Sequence, residues 1–275
     1  LVTTTLSFLK RPRLLGLGED IMTKLLNDHY EIVTIVKKPA IQLASGHIVS
    51  RGSENYLNPV DAVRFTTTLQ QPLQTGDLAI IVRDELEKKP LVENGKKDLD
   101  GSDLYQRLSD MVLFYRDESG LSIAVSDLPT MYGKDWEAQI LAAEKIGWGK
   151  DLPMKDELVQ RILETAGKRK AQMQSTHWPY SAPSATLGQD SIALAFFPNE
   201  AGRNGEYLAR KGRDTCHFYL INPEIPKNLK DTKTGVVRPV GLGGYVYNYI
   251  DDVYAGGGYG SGRARAGSVG AKNSP

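Results

Sequence analysis

The sequence predicts an α+β fold, with a mixed core of helices and strands and an extended, Gly/Pro-rich, largely irregular C-terminal half. Apolar residues recur at helical or strand spacing mainly before Gly167. After Gly167, prolines and glycines are closely spaced and such periodicity becomes rare. The chain is therefore expected to divide into an irregular N-terminal arm (1–17), a mixed core (18–167), an extended segment with short strands (168–255) and a Gly/Arg-rich tail (256–275).

Composition restricts the function classes before any motif is considered. The 275 residues include 34 basic and 33 acidic side chains, so the formal net charge is +1. A protein that coats nucleic acid usually carries a strong basic excess. The longest apolar run, Ile192–Phe197, is far shorter than the roughly 20 residues that a membrane helix needs, so no membrane span is expected.

The cysteine content and the first residues bear on the compartment. The single cysteine, Cys216, excludes an intramolecular disulfide and a cysteine-based zinc finger. The first residues lack the apolar run of a signal peptide, and no Asn-x-Ser/Thr acceptor occurs. These observations favour a reducing, intracellular or organellar compartment over secretion.

The first half of the predicted core begins with a helix over 19–29, where apolar residues follow two acidic ones at helical spacing. Two short apolar runs, Ile32–Val36 and Leu78–Val82, predict buried strands. Charged residues then dominate, so a solvated connection is predicted near 83–101.

The clearest predicted helix begins after Ser102, an effective N-cap residue, and ends at Gly120. Its apolar face would consist of Leu104, Leu108, Met111, Val112 and Tyr115. Alternation over Leu121–Val125 then predicts a half-buried strand.

Two further helices complete the predicted core. Asp135 caps one that runs through Ile146. Pro153 opens the other, in a first-turn position that proline tolerates, and Gly167 ends it.

The extended segment contains two predicted strands. These are the apolar runs Ile192–Phe197, which ends at a proline, and Cys216–Ile221, which ends at Asn-Pro. Regular structure is expected to be sparse over 222–244, where prolines and glycines recur.

Two interpretations of Cys216 remain open. The first is a buried structural thiol. The second is a reactive thiol or the attachment point of a covalent chromophore, because Arg213 and Asp214 lie close by, analogous to bilin-carrying cysteines of antenna proteins. No other cofactor and no metal site is predicted, since the four histidines show no metal-binding spacing.

Aromatic and arginine side chains stand among the glycines and prolines of the C-terminal half. Tryptophan, tyrosine and arginine are the residue types favoured at interface hot spots. Three tyrosines share one strand parity, so on a strand they would line one face. The predicted partner-binding residues are Trp178, Tyr180, Tyr245, Tyr247, Tyr249, Tyr259, Arg263 and Arg265.

These observations predict a non-catalytic structural or linker subunit that binds partner proteins within a larger assembly. The C-terminal half would cross the partner surfaces, because Gly-rich segments order on contact. No constellation of acids, bases, nucleophiles or metal ligands stands out in the sequence.

Two alternatives remain open. A nucleic-acid-binding module would use the tyrosines for stacking and basic side chains for phosphates. Those basic residues would be Lys168, Arg169, Lys170, Arg263 and Arg265. An enzyme without a short linear motif would assemble its groups from distant positions, with His177, Asp190, Glu200 and His217 as the candidates.

Overall fold

The computed structural model divides the chain into two compact units, 1–40 and 41–275, and the described residues all belong to the second. The described residues are 41–50, 53, 57–88, 92–93, 96–97, 106–173, 179–220, 229, 232–243, 253–255 and 267–268. The predicted arm 1–17, the helix over 19–29 and the strand Ile32–Val36 lie outside the described residues.

Helices and strands alternate irregularly along the described residues. The strands are β1 (Ile41–Gln42), β2 (Ile48–Val49), β3 (Val92–Glu93), β4 (Lys96–Lys97), β5 (Gln106–Asp117), β6 (Gly120–Asp127), β7 (Lys150–Pro153), β8 (Lys170–Gln172), β9 (Tyr180–Pro183), β10 (Thr215–Tyr219), β11 (Thr234–Leu242), β12 (Val253–Ala255) and β13 (Gly267–Ser268). The helices are α1 (Pro59–Thr68), α2 (Gly76–Lys88), α3 (Leu128–Tyr132), α4 (Trp136–Ile146), α5 (Glu157–Thr165), α6 (Ser191–Phe196) and α7 (Ala201–Arg210), with a 3₁₀ helix over Ser184–Gln189.

One large sheet organises these elements. Its strands follow the order β8-β6-β5-β11-β12-β10-β9, and β7 also pairs with β11. Its pairings are antiparallel except that β10 and β12 run parallel. Smaller sheets join β1, β2 and β13, and β3 with β4. The predicted mixed α+β class is confirmed.

Helices cover the two faces of the sheet and bury separate cores. On the first face, α2, α6, α7 and the 3₁₀ helix pack around residues such as Val112, Phe196 and Phe218. On the second face, α1, α3, α4 and α5 pack around Leu113 and Ile162. The second-face helices lie over β5, β6 and the first half of β11, because the core residues of those strands contact them.

The predicted strand Leu78–Val82 is wrong, because these residues lie in α2. This helix packs between two groups of buried residues. Ala79 and Ile80 contact the first-face core, whereas Leu78 and Ile81 belong to a smaller cluster with Val49. Over Leu78–Val82 the helix is covered on both sides, so this run is apolar all round and shows no amphipathic period. The same helix extends into the predicted charged connection and ends at Lys88.

The predicted helix after Ser102 is also wrong, because most of it is strand β5. Residues 106–114 of this strand are buried, since core helices cover both of its faces. In a strand with two covered faces, odd-numbered and even-numbered residues are both apolar. Some of these apolar residues then fall at helical spacing by chance.

Several shorter predictions are confirmed. The strand Leu121–Val125 lies within β6, and the predicted strand from Cys216 is β10. Asp135 caps α4 by accepting a hydrogen bond of 3.0 Å from the backbone N–H of Ala138. The helix that follows begins at Glu157 rather than at Pro153, which ends strand β7.

The largely irregular C-terminal half is not confirmed. Its predicted strand Ile192–Phe197 is helix α6 for most of its length, because Asp190 caps Ala193 and two alanines permit tight packing. Strand β11 runs through residues 234–242, where little regular structure is expected, and lies between β5 and β12. Prolines stand at a strand end (Pro183) and at a bulge (Pro239), where they are tolerated. No helix among the described residues is long and apolar enough to cross a membrane.

Candidate functional site

One region of the sheet has a different composition on each face. Along β10, Cys216 and Phe218 point into the first-face core, whereas Thr215, His217 and Tyr219 are half-buried on the second face. Ser181 of β9 pairs with His217 and is exposed. We define Ser181, Thr215, His217 and Tyr219 as the open face.

Strand register extends the open face toward the middle of the sheet. Leu242, Val253 and Phe218 are lateral neighbours on three strands, and all lie in the first-face core. The adjacent row therefore faces the second side. Its described side chains include Arg107 of β5 and Tyr219 of β10, and Gly241 of β11 lies in the same row.

Trp148 stands at the β5 end of this row. The Cζ of Arg107 lies 4.8 Å from the centroid of the Trp148 ring, a cation–π geometry. Arg107 is buried and its Nε donates to the carbonyl oxygen of Leu57 at 3.4 Å, whereas Trp148 is 43% exposed. The indole thus covers the arginine and presents its own apolar surface to solvent.

The imidazole of His217 is held by two hydroxyl groups. Its Nδ1 lies 2.7 Å from Ser181 Oγ, and its Nε2 lies 3.3 Å from Thr215 Oγ1. Burial lowers the pKa of His217, and the positive charge of Arg213 lowers it further. At neutral pH the open face is therefore a neutral surface of hydroxyl, imidazole and aromatic groups.

The predicted tyrosine cluster falls in the connection between β11 and β12. Leu242 pairs with Val253, so the chain leaves and re-enters the sheet at neighbouring positions. Buried Arg83 fixes the exit, because its Nη2 donates to the carbonyl oxygens of Leu242, at 3.3 Å, and Gly243. Outside the described residues lie Trp178, Tyr245, Tyr247, Tyr249, Tyr259, Arg263 and Arg265.

Tyr180 is described, and it points to the first face. Its ring lies 6.0 Å from that of Phe218, and its hydroxyl donates to Asp190. Burial and this hydrogen bond raise the pKa of Tyr180 to about 12. Tyr180 is thus half-buried at the edge of the first-face core and is separate from the open face.

Cys216 is a core residue. It is 1% exposed, and the side-chain amide of Asn204 lies 4.0 Å from its sulfur. Attachment of a chromophore to this sulfur would require the first-face core to open.

The three candidate enzymatic residues that the structure describes do not converge. Asp190 caps α6 and accepts from Tyr180. Glu200 forms an ion pair of 3.0 Å with Arg203 at the start of α7, and His217 lies on the open face. His177 lies outside the described residues, and among the described ones no group of three acidic, histidine or cysteine side chains could hold a metal ion.

The three consecutive basic residues of the nucleic-acid hypothesis, Lys168, Arg169 and Lys170, differ in burial. Lys168 and Lys170 are exposed, but Arg169 points inward. Its Nη1 donates to Asp127 at 3.0 Å, its Nη2 donates to Asp110, and its Nε donates to the carbonyl oxygen of Ala195 at 3.0 Å. Arg169 is therefore engaged in a buried ion cluster and is not available to a phosphate.

Asp110 is the most deeply buried member of that cluster. It accepts a hydrogen bond of 2.7 Å from the backbone N–H of Gly76, at the start of α2. Burial raises the pKa of Asp110 to about 6, although Arg169 opposes the rise. The cluster links β5, β6, α2 and α6 across the first face.

No protein-family profile matches the sequence, and no curated protein matches it. A solved structure described as "Accommodation of massive sequence variation in Nanoarchaeota by the C-type lectin fold" is similar, with a TM-score of 0.52. It is 15% identical, and the match covers 79% of this chain and 97% of that one. The fold of this chain is therefore similar to that of the structure whose description names the C-type lectin fold. At this level of identity the likeness concerns the fold alone.

Sequence reasoning singled out His217 as a catalytic candidate and missed the open face around it. The available signal was parity, since Thr215, His217 and Tyr219 alternate with Cys216 and Phe218. Ser181 could not be found in this way, because only strand register brings it to His217.

Proposed function

We propose that this chain is a non-catalytic subunit that binds partner proteins within a larger assembly, and that it does so through the open face and Trp148. The observation that carries the proposal is the partial exposure of Thr215, His217 and Tyr219 on the face opposite the first-face core. Tyrosine and tryptophan supply large contact areas at a low cost in conformational entropy.

The chemistry of the open face supports recognition over catalysis. Both nitrogens of His217 are occupied by hydroxyl groups, and among the described residues the charge that lowers its pKa is the positive one of Arg213. A Ser–His pair that acts on an acyl group normally has an acidic or amide group to orient the base and a site for the oxyanion. The hydroxyls and the imidazole are instead suited to hydrogen bonds with a partner.

The two edge strands of the large sheet, β8 and β9, are poorly suited to pair with a strand of a partner. Strand β9 is short and bounded by Pro179 and Pro183, and β8 carries the exposed Lys170. Proline and lysine at sheet edges disfavour the addition of a further strand. A partner is therefore expected to pack on side chains of the open face.

The fold likeness is in keeping with this proposal. The similar structure is described as accommodating massive sequence variation by the C-type lectin fold. A scaffold whose cores lie beneath its helices can change exposed side chains at little cost in stability. For this chain we propose that the two cores form the scaffold and that the open face forms the contact surface.

Site-specific cross-linking tests the proposal. The photoreactive residue benzoylphenylalanine replaces Tyr219 in the full chain, which is expressed in the cells that naturally produce it. The control places it at Glu164, an exposed position on α5. We expect a discrete protein adduct from position 219 and none from position 164.

The identified protein is then purified and titrated against variants of the full chain. Tyr219→Ala is expected to weaken binding about tenfold or more, as loss of an aromatic anchor does. Tyr219→Phe retains the ring and serves as the matched control, with an expected change of about threefold or less. Equal affinities for all variants would contradict the proposal, and an adduct with nucleic acid would favour the nucleic-acid alternative.

A further inference from the structure

Arg238 is a half-buried arginine without a direct polar partner in the described part of the chain. It lies in β11, and there it has neither a hydrogen bond nor an ion pair; Asp151 attracts it only from a longer distance. A guanidinium has five N–H donors. Removing a charged donor from water without an acceptor is unfavourable, and burial lowers the pKa of Arg238 accordingly.

The side chain lies at a break between two strands. Strands β7 and β12 both pair with the edge of β11 that faces away from β5. Lys150 pairs with Val237, and Ala255 pairs with Val240, which leaves Arg238 and Pro239 between the two ladders.

Gly149 supplies the space that the guanidinium occupies. A Cβ at this position would overlap Nη1, Cδ and Cζ of Arg238. The φ angle of Gly149 is 139°, a conformation that residues with side chains rarely adopt. The absence of a side chain thus lets Arg238 lie against the backbone, where the residue is half-buried.

We propose that Arg238 binds a carboxylate group of a ligand at this break in the sheet. A carboxylate matches the planar fork of a guanidinium through two parallel hydrogen bonds. The negative charge of Asp151 acts on Arg238 and weakens its attraction for any anion, so binding is expected to be weak, in the millimolar range. The site differs from the open face, because Arg238 pairs with Val112, whose side chain lies in the first-face core.

Titration of the full chain with sodium acetate tests this site. Chloride keeps the ionic strength constant, and NMR follows the backbone amide of Gly149 and the Nε–H of Arg238. We expect a saturable shift in the millimolar range at both signals. The Nε–H of Arg64, an exposed arginine that forms ion pairs with Asp61 and Glu144, is the internal control and should not saturate.

Two substitutions distinguish recognition of the carboxylate by the guanidinium of Arg238 from attraction by positive charge alone. Arg238→Lys keeps the charge but loses the planar fork, and should weaken acetate binding about tenfold. Gly149→Ala should weaken it by displacing the guanidinium. The amide spectrum of each variant establishes that it is folded, and Arg238→Lys alone decides the matter if Gly149→Ala does not fold.

The source of the carboxylate is distinguished by further probes. Tighter binding of N-acetyl-glutamate amide than of acetate would indicate an acidic side chain of a polypeptide, and the reverse would indicate a small free carboxylate; either supports the site. N-acetyl-glutamine amide is the uncharged control. A shift that does not saturate, equal acetate affinity in Arg238→Lys, or tighter binding of phosphate than of acetate would overturn the proposal.

Discussion

The Nη2 of Arg83 lies 3.3 Å from the carbonyl oxygen of Leu242, which joins the middle of α2 to the last residue of β11. The same nitrogen donates to the carbonyl oxygen of Gly243. Arg83 is fully buried, so these backbone acceptors have little access to water. The arginine therefore fixes the point at which the chain leaves the sheet toward Tyr245.

Replacement of Arg83 by methionine should destabilise the protein by about 3 kcal/mol. Methionine fills a similar volume, but it leaves buried carbonyl oxygens without their charged donor. Urea unfolding followed by circular dichroism measures the change. Arg64→Met is the control, because Arg64 is exposed and its ion pairs with Asp61 and Glu144 should contribute less than about 1 kcal/mol. Equal losses in the two variants would contradict a special role for Arg83.

Asp110 should make the protein less stable as pH rises from about 4 to about 6. Burial raises its pKa to about 6 in the folded chain, from an ordinary value of 3.8. The folded state therefore binds more protons than the unfolded state in this window, so the free energy of unfolding falls with rising pH. The expected fall from this group is on the order of 2 kcal/mol.

The pH effect of Asp110 can be isolated by substitution. Asp110→Asn should remove the fall when urea unfolding is measured at several pH values. Asp156→Asn should instead remove a contribution to stability that increases as pH rises. Burial tends to raise the pKa of Asp156, but hydrogen bonds from Lys145 and Leu158 outweigh it and lower that pKa. Asp156 therefore stabilises the protein above its unfolded pKa and loses this contribution as pH falls. A curve for Asp110→Asn that is parallel to the wild-type curve would contradict the role of Asp110.

Local capping signals predicted parts of the fold well, because they act within a few residues. Asp135 caps α4, and its backbone and side-chain groups are all that this role requires. The alternation of apolar and polar residues in β6 is likewise a signal that acts within a few residues. By contrast, α2 and β5 are each covered from two sides, so the spacing of their apolar residues does not distinguish a helix from a strand.

The candidate site was less predictable, because it depends on strand register between distant segments. His217 and Ser181 meet only because β9 and β10 pair in antiparallel register. Arg107 joins the same row through β11 and β12. No spacing along the chain encodes these neighbours, whereas the buried position of Cys216 follows from its place in a short apolar strand.

His217 should titrate below its ordinary pKa of 6.5, because burial and Arg213 both disfavour its charged form. Proton NMR of the imidazole signals measures the midpoint in the full chain. Arg213→Gln should move the midpoint upward by removing the nearby positive charge. The stability that neutral His217 contributes should decline as pH falls below 6.5, since the unfolded chain then binds the proton more readily. A midpoint above 6.5 would contradict the geometry of the open face.

Two glycines of α7 should respond in opposite directions to alanine. A Cβ at Gly205 would overlap the carbonyl oxygen of Ser184 in the 3₁₀ helix, whereas a Cβ at Gly202 meets no atom within 4 Å. Gly205→Ala should therefore destabilise the protein by about 2 kcal/mol or more, through forced separation of the two helices. Gly202→Ala should stabilise it by about 0.5–1 kcal/mol, because alanine restricts the unfolded chain and favours the helix. Thermal unfolding of both variants measures the difference, and a Gly205→Ala variant as stable as Gly202→Ala would show that α7 does not pack against Ser184 as closely as the structure has it.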